Sequence, residues 1–593
     1  MREKLAEIFG VVLRGWDKLL CFEVLYKTAG FGILFPFLQS QMEKLPKLAG
    51  IPYLGPQNLG LILRSPLALL LAAGLLLLLA FYLLFEIIVL FLYCESGWQR
   101  RDLTFLGLWR ESLLRTASLF RMKRAGVLLF FPPLLLSAFS LSSGWLQNIR
   151  LPEFVLDYIR AAPLLTLLYA GVVLLCNLIL FRYLFGFPAM FLAGASFLDS
   201  WRESSRLLRK KNLRIFGMLL CFAAVFTAVL AFAAAAAVLL LAGYTRAFYP
   251  LAQAHAQFQF YFIAFQRAGT IAAATLASVF LCAVTVVLYH ACRQEKRPSA
   301  VPGKKTGFIG ILKRTAFALF TLVFLIFASE SEIGGPFPRL LWENPQIVAH
   351  RAGGFFAPEN TVAALEQAIS DGADQAEIDV QQLGDGTLIV LHDTNFQRTT
   401  GSNGQVWDAS YADVRSLEAG SHFSPTFTGE PIPTLEEMLT AAKGRIGLMI
   451  ELKSTGHETK LVESTLELIQ KHGMRQQCSI ASMDLNILAR TKALMPEMQT
   501  VYICALLVSD RYDLPNVDCY SVETSSLSAG MVAQIHAEGR MVYGWTANST
   551  KTLAKLLYCE VDGLVTDNII FAEYCIENNG ENLLLDAVTG LFF

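Results

Sequence analysis

Two histidines, three carboxylates and two cations stand at the ends of short apolar runs in the second half of the chain. They are His350 and Arg351 in QIVAHRAGG, Glu377 and Asp379 in QAEIDV, His392 in TLIVLHD, and Glu451 and Lys453 in GLMIELK. Glu377 and Asp379 are two residues apart, so in a strand they point to one side. Three carboxylates brought together repel unless a cation neutralises them, and an all-oxygen ligand set favours Ca2+ or Mg2+ over Zn2+. A hard divalent ion facing His350, Arg351, His392 and Lys453 suits phosphoryl chemistry. The metal and the cationic side chains would hold the phosphate oxygens, while the two histidines serve as general base and general acid. The plainer alternatives are surface salt bridges from the carboxylates to Lys453 and Arg351, and a structural hydrogen bond from His392 to Asp393.

These residues need a scaffold that brings distant segments to one face. From residue 346, short β-rich runs alternate with helical periodicity, the pattern of a parallel sheet with crossover helices. Eight candidate strands run over 346–350, 375–380, 447–452, 478–482, 500–506, 518–523, 541–546 and 562–566, with helical patterns such as NTVAALEQAISDG and TLEEMLTAAKG between them. Eight such units over residues 346–575 have the size and rhythm of an α/β TIM barrel. An extra strand is expected at 387–393, followed by a long insertion to about residue 433 that could wall the barrel mouth. His350 ends the first strand, Glu377 and Asp379 the second, Glu451 and Lys453 the third and Trp545 the seventh, while Asp567 follows the eighth. All lie at carboxyl ends, where barrel enzymes build their sites.

The first half is of another kind. Long apolar runs recur at roughly 20–38, 66–93, 124–142, 163–187, 214–242, 269–292 and 315–329. Most are long enough to cross the bilayer as helices, so residues 1–330 read as a multi-span α-helical membrane domain of about seven helices. A linker (331–345) leads into the barrel, and a tail (576–593) follows it. The formal net charge of zero conceals an asymmetry: residues 1–330 hold 33 Lys and Arg against 15 Asp and Glu, and the remainder 16 against 34. An acidic soluble half argues against nucleic-acid binding. The connections 94–123, 188–213 and 293–314 are rich in Arg and Lys and are expected on the cytoplasmic side, which with seven spans puts the N-terminus inside and the barrel outside. That placement depends on the short last run, TAFALFTLVFLIFAS, crossing. Few ionisable residues interrupt the runs, Glu86 and Arg182 among them, so no transport path is announced. No cleavable signal peptide is expected. The eleven cysteines show no CxxC pair, and the five in the acidic half, Cys478, Cys504, Cys519, Cys559 and Cys575, read as buried thiols rather than a disulfide framework.

HRAGG, APENT, EIDV, DGTLIVLHD, RTTG, ELK, GWTAN and VDGLVTD, in that order and spacing, resemble the glycerophosphodiester phosphodiesterase family over roughly residues 346–572. The first half is similar to the membrane domain fused to some bacterial members. The resemblance implies metal-dependent hydrolysis of glycerophosphodiesters to glycerol 3-phosphate and an alcohol, with His350 and His392 as the acid/base pair. It makes Glu377, Asp379 and Glu451 the ligands of Ca2+ or Mg2+, places Arg351 and Lys453 on the phosphate, and sets Trp545 against the glycerol. Glu359 in PEN would assist the metal site or hold the first loop. The partners implied are a glycerophosphodiester or lipid-derived substrate and membrane lipid, in a multi-pass protein of the cell membrane. Two departures stand out: Ala352 where the family commonly has glycine, expected to shift the phosphate-side loop, and Met483 where an aromatic residue is frequent, expected to widen the alcohol side. Two rivals remain, a phospholipase-type phosphodiesterase acting on lysolipids and a non-enzymatic transporter or receptor with a ligand-binding barrel.

Overall fold

The computed structural model describes residues 2–51, 53–55, 58–101, 103–135, 155–156, 159–160, 162–299, 310, 312–321, 344–509 and 511–577. The expected linker before residue 344, the apolar run beyond Thr321, most of 136–162 and the tail beyond residue 577 lie outside them. The chain divides into two compact units, one drawn from 1–41 and 70–336, the other from 42–69 and 337–586.

The first unit is helical. Among the described residues five helices are long and apolar enough to cross a membrane: Trp16–Leu48, Pro66–Gln99, Pro163–Arg182, Asn212–Phe248 and Gly269–Cys292. The run expected at 124–142 appears as a short apolar helix, Ala125–Leu134, before the described residues end. Phe22, Ile88, Phe91, Tyr183, Phe191 and Val287 form a buried core among the helices, and Glu86 is fully buried within this unit. Leu70, Leu167, Phe232 and Leu240 instead face outward, each at least 70% exposed, as apolar side chains do when lipid rather than water surrounds them.

The second unit is a closed parallel barrel. Its strands are β1 (Gln346–Ala349), β2 (Gln375–Gln382), β3 (Leu388–Val390), β4 (Gly447–Leu452), β5 (Cys478–Ser482), β6 (Gln499–Cys504), β7 (Cys519–Glu523), β8 (Met541–Trp545) and β9 (Gly563–Thr566). The order β1-β9-β8-β7-β6-β5-β4-β2 closes through a β1–β2 pairing, and β3 adds antiparallel to β2 outside the ring, with Val380 opposite Val390. The helices are α1 (Val362–Ser370), α2 (Leu435–Ala442), α3 (Leu461–His472), α4 (Leu485–Leu494), α5 (Ala529–Ala537), α6 (Thr550–Cys559) and α7 (Ile569–Glu577). Caps fix where most of them start: Thr361, Thr434, Asp484, Ser528 and Ser549 each accept a backbone N–H of the first turn. Such caps let a strand turn into a helix within a few residues, which keeps the strand ends rigid.

Strand alternation sorts the core into two layers. Val348, Met449, Ala481, Val501, Cys519, Tyr543 and Val565 fill the barrel interior, whereas Ala349, Ile378, Ile450, Ile480, Tyr502, Tyr520, Val542 and Leu564 pack outward. Continuing the inward parity to the carboxyl ends of the strands leads to His350, Glu377, Asp379, Glu451, Lys453, Met483, Glu523, Trp545 and Asp567. Period-two geometry alone thus aims these residues at one mouth.

Candidate active site

Glu377, Asp379 and Glu451 are buried together, and each offers a carboxylate oxygen within 4.8 Å of the other two. The register makes this so, because β2 and β4 place Asp379 beside Glu451. Lys453 Nζ lies 2.7 Å from Asp379 Oδ1 and 2.8 Å from Glu451 Oε2. Glu377 Oε2 accepts the backbone N–H of Arg351 at 2.8 Å, but its Oε1 is buried with no hydrogen-bond partner. Burial and then the neighbouring Asp379 push the Glu377 carboxyl up to about 8. Asp379 goes the other way: burial opposes its charge, but Lys453 and other nearby cations hold its pKa well below the carboxylate range. An orphaned buried carboxylate oxygen among three acidic groups is what a cation site requires, and the all-oxygen set fits Ca2+ or Mg2+.

The first loop winds tightly over this cluster. Arg351, Ala352 and Gly353 all take positive φ, at 51°, 62° and 98°. Ala352 therefore adopts the left-handed conformation itself at a cost of about 1–2 kcal/mol, and Arg351 N–H still reaches Glu377. Asn360 closes the loop. Its N–H donates to Arg351 O at 2.8 Å, its side-chain amide donates to Asp379 Oδ2 at 2.7 Å, and its Oδ1 accepts the N–H of Asp379 at 3.1 Å.

Both histidines are tethered through Nδ1. His350 Nδ1 lies 2.7 Å from Asp567 Oδ1, and Asn548 donates to the other Asp567 oxygen. Burial works against protonating His350, yet Asp567 outweighs it and raises the imidazole pKa. His392 Nδ1 lies 2.8 Å from Asp393 Oδ1, so the structural bond weighed against a chemical role is present. The bond occupies one nitrogen only and leaves Nε2 of the ring available, as at His350. Gln381 pins the strand-end loop carrying His392 by donating to Leu391 O at 2.7 Å and Asp393 O at 2.8 Å.

Glu359 sits between two guanidinium groups. Arg398 donates to both its oxygens at 2.7 Å and to Asp393 at 2.8 Å, while Arg351 donates to Glu359 Oε1 at 3.0 Å. Burial disfavours the Glu359 charge, but the Arg398 and Arg351 guanidiniums win and lower its pKa. Both Glu359 oxygens lie on guanidinium groups, and Glu359 is not one of the three clustered carboxylates found among the described residues. Trp545 ends β8 with its indole N–H on Ser521 O at 3.0 Å, and Met483, 40% exposed, follows β5. Sequence reasoning passed over Asn360, Gln381, Asp393, Arg398, Glu523 and Asn548 as members of the site. Parity along β2 and β7 was a usable signal for Gln381 and Glu523, and adjacency to His392 for Asp393. Arg398, in the one-turn helix Gln397–Thr400, and Asn548, in the loop after β8, sit on segments whose reach no periodicity reveals.

Comparison with known proteins adds to this geometry. Residues 350–570 match the glycerophosphoryl diester phosphodiesterase family, and residues 5–328 match the membrane domain of glycerophosphoryl diester phosphodiesterase. The YhdW protein of Bacillus subtilis (strain 168), which carries a glycerophosphodiester phosphodiesterase name, is 34% identical over 227 residues, covering 37% of this chain and 93% of its own. The glycerophosphodiester phosphodiesterase of Caldanaerobacter subterraneus subsp. tengcongensis is 31% identical over 232 residues, with 37% and 93% covered. A solved Oleispira antarctica phosphodiesterase in complex with sn-glycerol-3-phosphate aligns at 28% identity and a TM-score of 0.38, covering 40% of this chain and 97% of its own. With one match over the helical half and another over the barrel, the chain belongs to the glycerophosphoryl diester phosphodiesterase family and is a phosphoric diester hydrolase with a multi-span membrane domain.

Proposed function

We propose that the barrel hydrolyses a glycerophosphodiester to glycerol 3-phosphate and an alcohol with the help of one divalent cation, and that His350 and His392 handle the protons. The observation that carries this reading is the buried trio Glu377, Asp379 and Glu451 with the orphaned Glu377 oxygen. These three carboxylates would hold the ion, which when bound supplies a positive charge for the phosphate oxygens. Arg351 and Lys453 sit beside the trio and add cationic charge for the same oxygens, stabilising what develops as the P–O bond breaks. With Nδ1 of each ring tied to Asp567 or Asp393, Nε2 is the working atom. One histidine takes the proton of the attacking hydroxyl and the other delivers a proton to the leaving alkoxide. Trp545 would give the glycerol an apolar wall.

The positive connections between the apolar helices support a barrel on the outer face of the cell membrane, near lipid-derived substrates. The test is glycerol 3-phosphate release from glycerophosphocholine and glycerophosphoglycerol by the detergent-solubilised full chain with Ca2+, Mg2+ or chelator. Metal-dependent release that disappears in Glu377→Ala is expected. Equal release with chelator would overturn the metal assignment, and no release from either diester while lysolipid is cleaved would favour the phospholipase-type reading.

A further inference from the structure

Eight strands form the barrel ring but seven helices cover them among the described residues, and the gap falls after β6. Residues 505–518 run from β6 to β7 without a helix. The outward side chains of these two strands, Tyr502, Cys504, Tyr520 and Val522, are nonetheless fully buried. Part of the cover comes from the connecting loop, through Leu507, Tyr512, Leu514 and Val517. A segment some 450 residues earlier in the chain reaches the same cluster.

Tyr53 belongs to the same buried cluster and is 8% exposed. Its ring meets that of Tyr502 edge-on, with centroids 5.7 Å apart, and Tyr502 donates its hydroxyl to that of Tyr53 at 3.1 Å. Leu54 pairs antiparallel with Val508: its N–H reaches Val508 O at 2.8 Å, and the Val508 N–H returns to Leu54 O at 3.1 Å. The segment is braced for this. Asn58 donates to Tyr53 O at 2.7 Å and accepts from Gly55 N–H at 2.8 Å, and Ser65 donates to Leu48 O at 2.9 Å, joining the ends of the loop. A loop whose ends meet, whose turn is fixed by its own asparagine and whose tip carries a buried tyrosine has the build of a docking element.

We propose that loop 48–65 is a permanent piece of the barrel wall, standing where the helix after β6 would stand, so that the catalytic half is completed only by a segment lying between the first two membrane-spanning runs. A second conclusion follows from connectivity. The loop joins Trp16–Leu48 to Pro66–Gln99, and the basic connection 94–123 lies one crossing further on. The barrel must be on the side where the loop emerges, opposite that basic connection, and so on the outer face, by a route that does not start from the charge of the last connections.

The test is amide hydrogen exchange on the unaltered full chain in detergent or nanodiscs. The amides of Leu54 and Val508 are expected to exchange at least about 100-fold more slowly than in an unstructured chain. Exchange at unstructured rates would overturn the proposal. In Tyr53→Ala, Val508 should exchange about tenfold or more faster, while β2 and β4, on another side of the barrel, keep their wild-type rates. Unchanged protection at Val508 would mean that the wall closes without the loop. If alanine loosens the whole barrel, the milder Tyr53→Phe, which removes only the hydroxyl bond, must still show the effect at Val508 alone for the proposal to stand.

Discussion

Asp567 Oδ1 lies 2.7 Å from Nδ1 of His350, across the β1–β9 seam of the barrel. The bond engages Nδ1 of the ring, and it opposes the effect of burial on the ring's charge. Asp567→Asn is expected to lower kcat about 10- to 100-fold, the range for partners that orient a functional histidine. Because the carboxylate raises the His350 pKa, its loss moves that limb of the kcat/KM profile to lower pH. An unmoved profile in Asp567→Asn would detach Asp567 from His350 function.

Removing either imidazole tests the pair directly. His350→Ala and His392→Ala should each cost about 10² to 10⁴ in kcat with glycerophosphocholine. The assignment fails if both variants turn over at near wild-type rates.

If Glu377 is a cation ligand as proposed, its carboxyl, pushed up to about 8, would link cation binding to pH. Its oxygen must be deprotonated to take a divalent ion, so binding releases a proton and weakens as pH falls below about 8. Titration calorimetry at pH 8.5 and 6.5 should show Ca2+ or Mg2+ affinity dropping by about tenfold per unit below the folded pKa. Glu377→Gln should abolish the dependence along with most of the affinity, and a pH-independent affinity in the wild type would remove Glu377 from the ligand set.

Glu359 contributes to acid sensitivity. Its folded pKa lies below the ordinary 4.5, so the stability it supplies is present above that value and is lost as pH falls through the folded pKa. Thermal melting of the full chain should fall below about pH 4.5. Arg398→Gln removes charge-assisted hydrogen bonds to two carboxylates, for a loss of about 1–3 kcal/mol at neutral pH and a shallower acid slope. Identical acid slopes in wild type and variant would sink this account.

Much of the barrel is legible in the chain because parallel strands buried on both faces leave apolar runs that end in turn residues, and eight of these runs became the strands of the ring. The inward parity of Glu377, Asp379, Glu451 and Lys453 could be read for the same reason. What escaped reading is whatever depends on long reach without periodicity. Arg398 joins two loops across the mouth, and Asn548 reaches Asp567 from another. Tyr53 lies in a stretch, IPYLGPQN, that reads as a plain connection between apolar runs. Nothing local marks it as a partner for Tyr502, since the contact is made by burial at a distance.

The wall element around Tyr53 also sets an order of events in time. Tyr502 is made 449 residues after Tyr53. At synthesis rates of about 5–20 residues per second, that is a delay of roughly 20–90 s. During it the loop has no strand to lie on, and the later apolar helices must be inserted. The barrel then matures around an element already tethered at both ends by spans. A nascent catalytic half severed from its first 70 residues would finish synthesis with the outer face of β6 bare, a tyrosine-lined edge open to aggregation or to capture by another copy's loop.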